Sequence, residues 1–258
     1  MCKDCGCGEV HHHHNGNGVH AHTGADGKVY YHSHKTPAPQ IVSLEQAILS
    51  KNDDTAEQNR KYLRERGIRT FNLISSPGAG KTTLLKKTLE HLKSAGIPAA
   101  VIVGDQYGEI DAERMRGTGA PVTQIQVHDS CHLTASQIAG VLDSAVPEGT
   151  RILFIENVGN LVCPVAFDLG EDEKIALLST AEGEEKPLKY PGLFAAAKIV
   201  LLTKMDIADA LEWDKTVCKA NIRNVNPEAE VLEISARKGT GFDGWITFLK
   251  NSIRSQIR

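Results

Sequence analysis

The stretch Ser75-Ser-Pro-Gly-Ala-Gly80-Lys81-Thr82 follows the apolar run Phe71-Asn-Leu-Ile74 and precedes a helical pattern that ends at Ala95. A glycine-rich loop between a strand and a helix directs backbone N–H groups and the helix N-terminus towards one point, which favours phosphate. Residue 75 is Ser where the usual pattern has Gly, a residue that eases a tight turn. The context nevertheless favours a phosphate-binding loop over an ordinary strand-to-helix turn.

Strand and helix patterns alternate from Thr70 to the end of the chain. Short apolar runs predict seven strands, over residues 71–74, 99–103, 122–127, 151–155, 175–179, 198–202 and 230–234. Helices are predicted over residues 43–65, with Ser43 as the N-cap and Gly67 as the terminator, and over 81–95, 132–145, 212–222 and 242–256. This alternation predicts an α/β fold, a P-loop domain with a mainly parallel sheet flanked by helices.

Two short motifs after later strands indicate the base of a nucleotide. Thr203-Lys204-Met205-Asp206 resembles the guanine-recognition motif of G proteins, with Thr in place of Asn, and Ser235-Ala236-Arg237 resembles their last motif. Asp206 would accept hydrogen bonds from guanine, and the stem of Lys204 would stack on the base. The predicted nucleotide-binding residues are Ser76, Pro77, Gly78, Ala79, Gly80, Lys81, Thr82, Thr83, Lys204, Asp206, Ser235, Ala236 and Arg237.

Two acidic residues at strand ends complete the expected phosphate chemistry. Asp105 and Glu156 each follow an apolar strand, and ligands bind at the carboxyl ends of the strands in such sheets. With the Thr82 hydroxyl they are candidate Mg²⁺ ligands. Lys81 and Asp105 are the candidate catalytic residues, Asp105 for orienting the attacking water. No residue stands out as a general base, so we expect slow intrinsic hydrolysis.

The first 36 residues have a composition typical of a flexible metal-binding tail. Cys2, Cys5 and Cys7 lie close enough in sequence to hold one ion, Ni²⁺ in a planar N,S site or Zn²⁺ in a tetrahedral one. Eight of the eleven histidines cluster behind them, an expected multi-ion reservoir: His11, His12, His13, His14, His20, His22, His32 and His34. Few large apolar residues are present, so this segment is not expected to fold by itself. We divide the chain into this tail (1–36), a helical lead-in (37–66) and a nucleotide-binding domain (67–258).

Another candidate metal site lies within the nucleotide-binding domain. Cys131-His132 and Cys163-Pro164 both fall near the elements that would sense the nucleotide. A metal bridging them would respond to the nucleotide state, and His128 is a further candidate ligand. Cys218 fits better as a small buried apolar residue.

Composition excludes several classes of protein. The chain has 258 residues and a formal net charge of −3, which gives no indication of nucleic acid or an anionic membrane as partner. It has no apolar run long enough to span a bilayer, and its first residues lack the apolar stretch of a signal peptide. We therefore expect a cytoplasmic protein whose six cysteines bind metal or stay free.

Taken together, these motifs resemble the HypB family, the nickel-insertion GTPases of [NiFe]-hydrogenase maturation. The resemblance covers essentially the whole chain. It rests most on Ser130-Cys131-His132-Leu133 and on Phe154-Ile-Glu-Asn-Val-Gly-Asn-Leu-Val-Cys163-Pro164, with support from Cys2-x-x-Cys5-Gly-Cys7, residues 75–83, Gly104-Asp105-Gln106, Phe167-Asp-Leu-Gly170 and residues 186–191.

The resemblance implies a GTPase that dimerises with nucleotide and places Cys131, His132 and Cys163 at the subunit interface. It implies a tight Ni²⁺ site in the tail and a weaker Ni²⁺/Zn²⁺ site in the nucleotide-binding domain. Its implied partners are a HypA-like zinc accessory protein and the hydrogenase large subunit. Three alternatives stay open: a related urease-type nickel chaperone GTPase, a nickel store whose nucleotide domain is incidental, and a P-loop kinase of a small metabolite.

Overall fold

The computed structural model describes residues 19–23, 27–33, 44–106, 108 and 110–254. The chain divides into two compact units, residues 1–44 and residues 45–258. No helix in the described part of the chain is long and apolar enough to cross a bilayer.

The first unit contains an antiparallel hairpin, formed by β1 (Val19–Thr23) and β2 (Val29–Ser33). Gly27 in the connection has a φ of 76°, a left-handed conformation that Gly adopts without steric cost. The sequence did not predict this hairpin, because the tail was expected to lack structure of its own. The rest of the tail lies outside the described residues, and so does Ser43, the predicted N-cap.

The second unit is built around a sheet of seven strands in the order β5-β4-β6-β3-β7-β8-β9, in which all neighbouring pairs are parallel. The strands are β3 (Arg69–Ile74), β4 (Ala99–Asp105), β5 (Val122–Gln126), β6 (Ile152–Glu156), β7 (Glu173–Ser179), β8 (Ala197–Thr203) and β9 (Glu230–Glu233). Each strand contains or closely matches a predicted one, so the α/β class with a parallel sheet is confirmed.

Helices flank this sheet. They are α1 (Leu44–Glu65), α2 (Lys81–Ser94), α3 (Ile110–Arg116), α4 (Ala135–Ala139), α5 (Leu142–Ala145), α6 (Cys163–Ala166), α7 (Lys186–Lys189), α8 (Pro191–Ala196), α9 (Lys215–Val225) and α10 (Phe242–Arg254). The short helices α3, α6, α7 and α8 were not predicted, because one or two turns carry too little periodicity to recognise.

The apolar core lies on both faces of the sheet because successive strand residues point to opposite sides. In β4, Val101 and Val103 join the cluster that α2, α3 and α10 cover. Ala100 and Ile102 join the opposite cluster, which α1, α4 and α5 cover. Trp245 of α10 is fully buried and donates its indole N–H to Thr88 Oγ1 at 3.0 Å, so its polar atom is satisfied.

Helix α1 ends where the sequence predicted. Gly67 has a φ of 67°, and the Ile68 N–H donates to the Leu63 carbonyl at 3.0 Å, a Schellman-type ending. Asn52 and Asn59 of α1 then donate to the carbonyls of Asp168 and Leu169 at 2.7 and 3.1 Å. These hydrogen bonds tie α1 to the loop before β7.

Two predicted helices have wrong boundaries. The helix expected from His132 begins at Ala135, because Thr134 forms a capping box with Gln137, and it is interrupted at Gly140. The helix expected from residue 212 begins at Lys215, because the Asp214 carboxylate accepts the N–H groups of residues 216 and 217. Residues 131–133 therefore lie in the loop before α4, so the two potential metal ligands there are not part of a helix.

Candidate functional site

The carboxyl ends of parallel strands meet at one edge of the sheet, and most of the predicted site residues lie there. The phosphate-binding loop follows β3, Asp105 ends β4 and Glu156 ends β6. Thr203 ends β8, so Lys204 and Asp206 follow it at the same edge. Five separate strands thus supply one site, since Ser235 also follows β9.

Two glycines of the predicted phosphate-binding loop have left-handed backbone conformations. Gly78 and Gly80 have φ values of 75° and 99°, and Gly80 is the N-cap of α2. Ser75, the departure from the usual pattern, does not have a positive φ and carries no backbone strain. Its side-chain oxygen instead accepts a hydrogen bond from Lys81 Nζ at 3.0 Å, so Ser75 orients the lysine.

A cavity of about 460 Å³ opens in front of this loop. It brings together the predicted magnesium and catalytic residues Lys81, Thr82, Asp105 and Glu156. Helix α3 adds two side chains that the sequence did not single out, Asp111 and Arg114. The only sequence signal for them is an acid and a base three residues apart, a pattern common on solvated helices.

Glu156 is a buried carboxylate that lines this cavity. One oxygen, Oε1, accepts the Thr82 hydroxyl at 2.8 Å, while Oε2 is buried with no hydrogen-bond partner among the described residues. Burial raises the pKa of Glu156 to about 7, against the opposing effects of Lys81 and of the Thr82 hydrogen bond. Burial also lowers the pKa of Lys81. An unpartnered carboxylate oxygen beside a hydroxyl suits a hard divalent cation such as Mg²⁺.

A second cavity of about 540 Å³ lies between the phosphate-binding loop and the motifs after β8 and β9. Thr83, Lys204, Asp206, Ala236 and Arg237 all line it. The two cavities share Gly80, Thr83 and Lys204, so a nucleotide can extend from one to the other.

Hydrogen bonds hold the residues predicted to recognise the base in place. Ser235 Oγ donates to Asp206 Oδ1 at 2.6 Å, and this hydrogen bond lowers the pKa of Asp206. Thr203 Oγ1 donates to the Ala79 carbonyl at 2.7 Å, which joins β8 to the phosphate-binding loop. Lys204 has a φ of 58°, a left-handed conformation that ends β8 sharply and turns Asp206 into the cavity. Thr203, which stands in place of the usual Asn, thus still links its motif to the phosphate-binding loop through its side chain.

The cysteine and histidine residues predicted to share a metal come together within one chain. The ligand atoms of Cys131, His132 and Cys163 all lie within 4.8 Å of one another, and Cys131 Sγ lies 3.7 Å from His132 Nδ1. His128 is not part of this group. Phe167 supports the imidazole, with 3.8 Å between ring centroids. Two sulfurs and one nitrogen are a ligand set for a borderline ion such as Ni²⁺ or Zn²⁺.

The titration of these groups follows from their surroundings. Burial lowers the pKa of His132, which keeps the imidazole neutral and able to bind metal. The hydrogen bond with Cys131 raises the pKa of Cys163, so a bound ion has to displace that proton. Cys218 is fully buried with a pKa raised to about 12 by desolvation, as expected for a packing residue.

The predicted ligands in the tail are covered only in part. In the hairpin, the backbone register pairs His20 with His32 and His22 with Tyr30. The other predicted ligands lie outside the described residues: Cys2, Cys5, Cys7, His11, His12, His13, His14 and His34.

Comparison with known proteins gives one consistent result. The family model described as CobW/HypB/UreG, nucleotide-binding domain, matches residues 69–233. The hydrogenase maturation factor HypB of Escherichia coli strain K12 is 49% identical over 211 residues, which are 82% of this chain and 72% of that relative.

Two solved structures share both fold and sequence with this chain. The crystal structure of HypB from Helicobacter pylori in complex with nickel has a TM-score of 0.75 at 35% identity, covering 80% of this chain and 96% of that one. The crystal structure of hydrogenase maturation factor HypB from Archaeoglobus fulgidus has a TM-score of 0.74 at 35% identity, covering 79% and 99%.

Proposed function

The chain belongs to the HypB family of hydrogenase maturation factors, and from this premise we propose that it is a GTP-hydrolysing nickel metallochaperone. It binds, stores and delivers Ni²⁺ to the large subunit of a [NiFe]-hydrogenase through a nucleotide-dependent dimer switch. The observation that carries this proposal is the group Cys131, His132 and Cys163: the first two lie in the loop after β5, and Cys163 begins α6, the helix after β6, whose last residue is Glu156. An ion bound there is the cargo, and the nucleotide sets when it is released.

The proposed hydrolysis relies on residues of the phosphate cavity. Lys81 neutralises charge on the terminal phosphates, and Asp105 orients the attacking water. Thr82 and Glu156 would hold Mg²⁺, and Asp105, which lines the same cavity, would take part through water. When bound, Mg²⁺ neutralises charge on the phosphate oxygens. Specificity for GTP over ATP rests on Asp206, which is held by Ser235 and accepts hydrogen bonds from the guanine base.

The proposed metal transfer needs ligands from more than one place. Cys131, His132 and Cys163 supply three donors, one fewer than a tetrahedral or square-planar ion requires. A GTP-dependent homodimer would bring two such groups together and supply the rest. The tail, residues 1–36, would act as the Ni²⁺ reservoir, with Zn²⁺ as the competing ion. A HypA-like zinc accessory protein and the hydrogenase large subunit are the proposed partners, and the cytoplasm is the proposed compartment.

Two other functions are distinguishable from this one. A urease-type nickel chaperone would share the nucleotide cycle and differ in the recipient of the ion. A nickel store would bind Ni²⁺ with the same affinity and stoichiometry whatever nucleotide is present. The residue set Cys131, His132 and Cys163, placed beside the nucleotide site, favours the chaperone.

The deciding experiment is a Ni²⁺ titration of the full chain, first with GDP and then with a non-hydrolysable GTP analogue. The wild-type chain is compared with the double variant Cys131→Ala/Cys163→Ala. We expect the nucleotide to change Ni²⁺ affinity or stoichiometry in the wild type and not in the double variant. If the nucleotide changes neither quantity in the wild type, the storage function takes the place of the chaperone. Competition between GTP and ATP for the same site tests the base preference.

A further inference from the structure

Asn157, the residue directly after Glu156, is buried at the junction of the nucleotide and metal sites. Only 1% of its surface is exposed. Its side-chain oxygen accepts hydrogen bonds from the backbone N–H groups of Leu133 at 3.3 Å and Val158 at 3.0 Å. Its side-chain nitrogen donates to Asn72 Oδ1 at 3.2 Å. Every polar atom of this amide is therefore used.

The carboxylate of Glu171 fixes the orientation of the Asn157 amide through Asn72. Asn72 donates its own N–H to Glu171 Oε1 at 3.2 Å, which leaves its oxygen to face Asn157. Glu171 is held in turn by the Leu169 N–H at 2.7 Å and by Lys174 Nζ at 3.1 Å. Because a carboxylate only accepts hydrogen bonds, this chain of contacts forces the Asn157 oxygen towards Leu133.

Leu133 connects directly to the metal ligands, since it follows Cys131 and His132 in the turn before α4. Its side chain packs against Gly104, where a Cβ atom would lie 2.7 Å from Leu133 Cγ and Cδ1. Gly104 precedes Asp105, as Asn157 follows Glu156. Leu133, which follows two of the candidate metal ligands, thus contacts the ends of both strands that carry the phosphate-site carboxylates.

We propose that Asn157 is a positioning residue that couples the nucleotide site to the metal site. This inference rests on the proposed function. A displacement of Glu156 when the nucleotide changes also displaces Asn157, and the hydrogen bond to Leu133 passes that movement to Cys131 and His132. Cys163, the third residue of the metal group, lies seven residues after Glu156 in the chain. The nucleotide then changes the spacing of the metal ligands.

The test measures coupling and not affinity alone. The full chain carries Cys2, Cys5 and Cys7 changed to Ser, so that thiolate-to-nickel absorption reports on Cys131 and Cys163. Ni²⁺ is titrated in the presence of GDP and of a non-hydrolysable GTP analogue, and the ratio of the two affinities is the coupling. Coupling between two binding sites is typically about 5- to 150-fold. We expect the ratio to fall towards one in Asn157→Ala, and the absorption spectrum to become the same with both nucleotides.

Two further variants separate this role from a loss of stability. Asn72→Ala removes the partner of the Asn157 side-chain nitrogen and leaves the Asn157 oxygen as acceptor for the Leu133 N–H, so it should lower stability and retain the coupling. Asn226→Ala removes a side chain that donates to the carbonyls of residues 194, 195 and 197, remote from both sites, and should leave the coupling unchanged. If Asn157→Ala does not fold, Gly104→Ala displaces Leu133 from the nucleotide side and should show the same loss.

The outcomes distinguish this inference from the function on which it rests. A parent chain without nucleotide-dependent nickel binding contradicts the proposed function. A parent chain with that dependence, which Asn157→Ala leaves intact, contradicts only the role of Asn157. Equal loss in Asn157→Ala and Asn72→Ala excludes the hydrogen bond to Leu133 as the connection.

Discussion

Gly159 packs so closely against the phosphate-binding loop that one added methyl group should weaken nucleotide binding. A Cβ atom at this position would lie 2.9 Å from Pro77 Cα, N and Cγ. Two of these three are backbone atoms, so the contact cannot be relieved by rotating a side chain. Gly159→Ala therefore forces the loop or the segment after β6 to move.

The size of the effect follows from two opposing contributions. Overpacking a tight contact costs about 1–3 kcal/mol, whereas replacing Gly by Ala gains about 0.4–1 kcal/mol by restricting the unfolded chain. Gly159 does not have a positive φ, so no backbone strain is added. The net loss of folding stability is about 0–2.6 kcal/mol. The gain from the unfolded chain does not act on affinity, so the overpacking cost of about 1–3 kcal/mol corresponds to roughly 5- to 150-fold in affinity if all of it falls on nucleotide binding.

The assay pairs the equilibrium binding of a fluorescent GDP analogue with denaturant unfolding, because the loss divides between affinity and stability. Gly192→Ala is the matched control, since a Cβ there meets no atom within 4 Å and the position is exposed in α8. The control should bind GDP normally and unfold at equal or higher denaturant concentration. If Gly159→Ala matches this control in both measurements, the close packing of the loop against Gly159 does not exist in solution.

Three further predictions use the other parts of the chain. Lys81→Ala should abolish nucleotide-dependent dimerisation while the tail still binds Ni²⁺, and a dimer seen in sedimentation with GTP and Mg²⁺ would contradict this. Deletion of the histidine-rich part of residues 1–36 should lower the Ni²⁺ stoichiometry and leave GTP turnover unchanged, so a collapse of turnover would rule out a simple reservoir. Thiol alkylation mapped by mass spectrometry should modify Cys131 and Cys163 in the metal-free protein, and bound Ni²⁺ should protect both. It should spare Cys218 until the protein unfolds, because the thiolate is the reactive form and burial raises the pKa of Cys218 to about 12.

Local sequence was sufficient to predict the strands, because each has a clear apolar pattern. The seven strands are short apolar runs bounded by polar or glycine residues, and they were recognised for that reason. The cap residues Thr134 and Asp214 moved the starts of two helices by three residues, because a side-chain cap outweighs weak helical periodicity. The β1–β2 hairpin was missed because its composition gave no sign of a buried face.

The same distinction holds for the functional site. The phosphate-binding loop and the predicted base-recognition motif are each continuous in sequence. Their binding of phosphate and base could therefore be predicted from residue types and spacing. Asn157 was not identified, since its hydrogen bond with Leu133 joins residues 24 positions apart in the chain. Arg114 was not identified because only the fold places α3 at the phosphate cavity. Ser75 was taken as a departure from the usual pattern, whereas its hydroxyl orients Lys81.

By itself, the sequence determined the fold class and the presence of a nucleotide-binding domain, and it supplied the candidate metal ligands, because these depend on local periodicity and on side-chain chemistry. Only the tertiary structure decided that the ligand atoms of Cys131, His132 and Cys163 lie within 4.8 Å of one another and that Asn157 accepts a hydrogen bond from Leu133, the residue after His132. Those contacts arise where parallel strands distant in sequence end at one edge of the sheet. The distance between such ends is set by strand pairing and core packing, which no local pattern records.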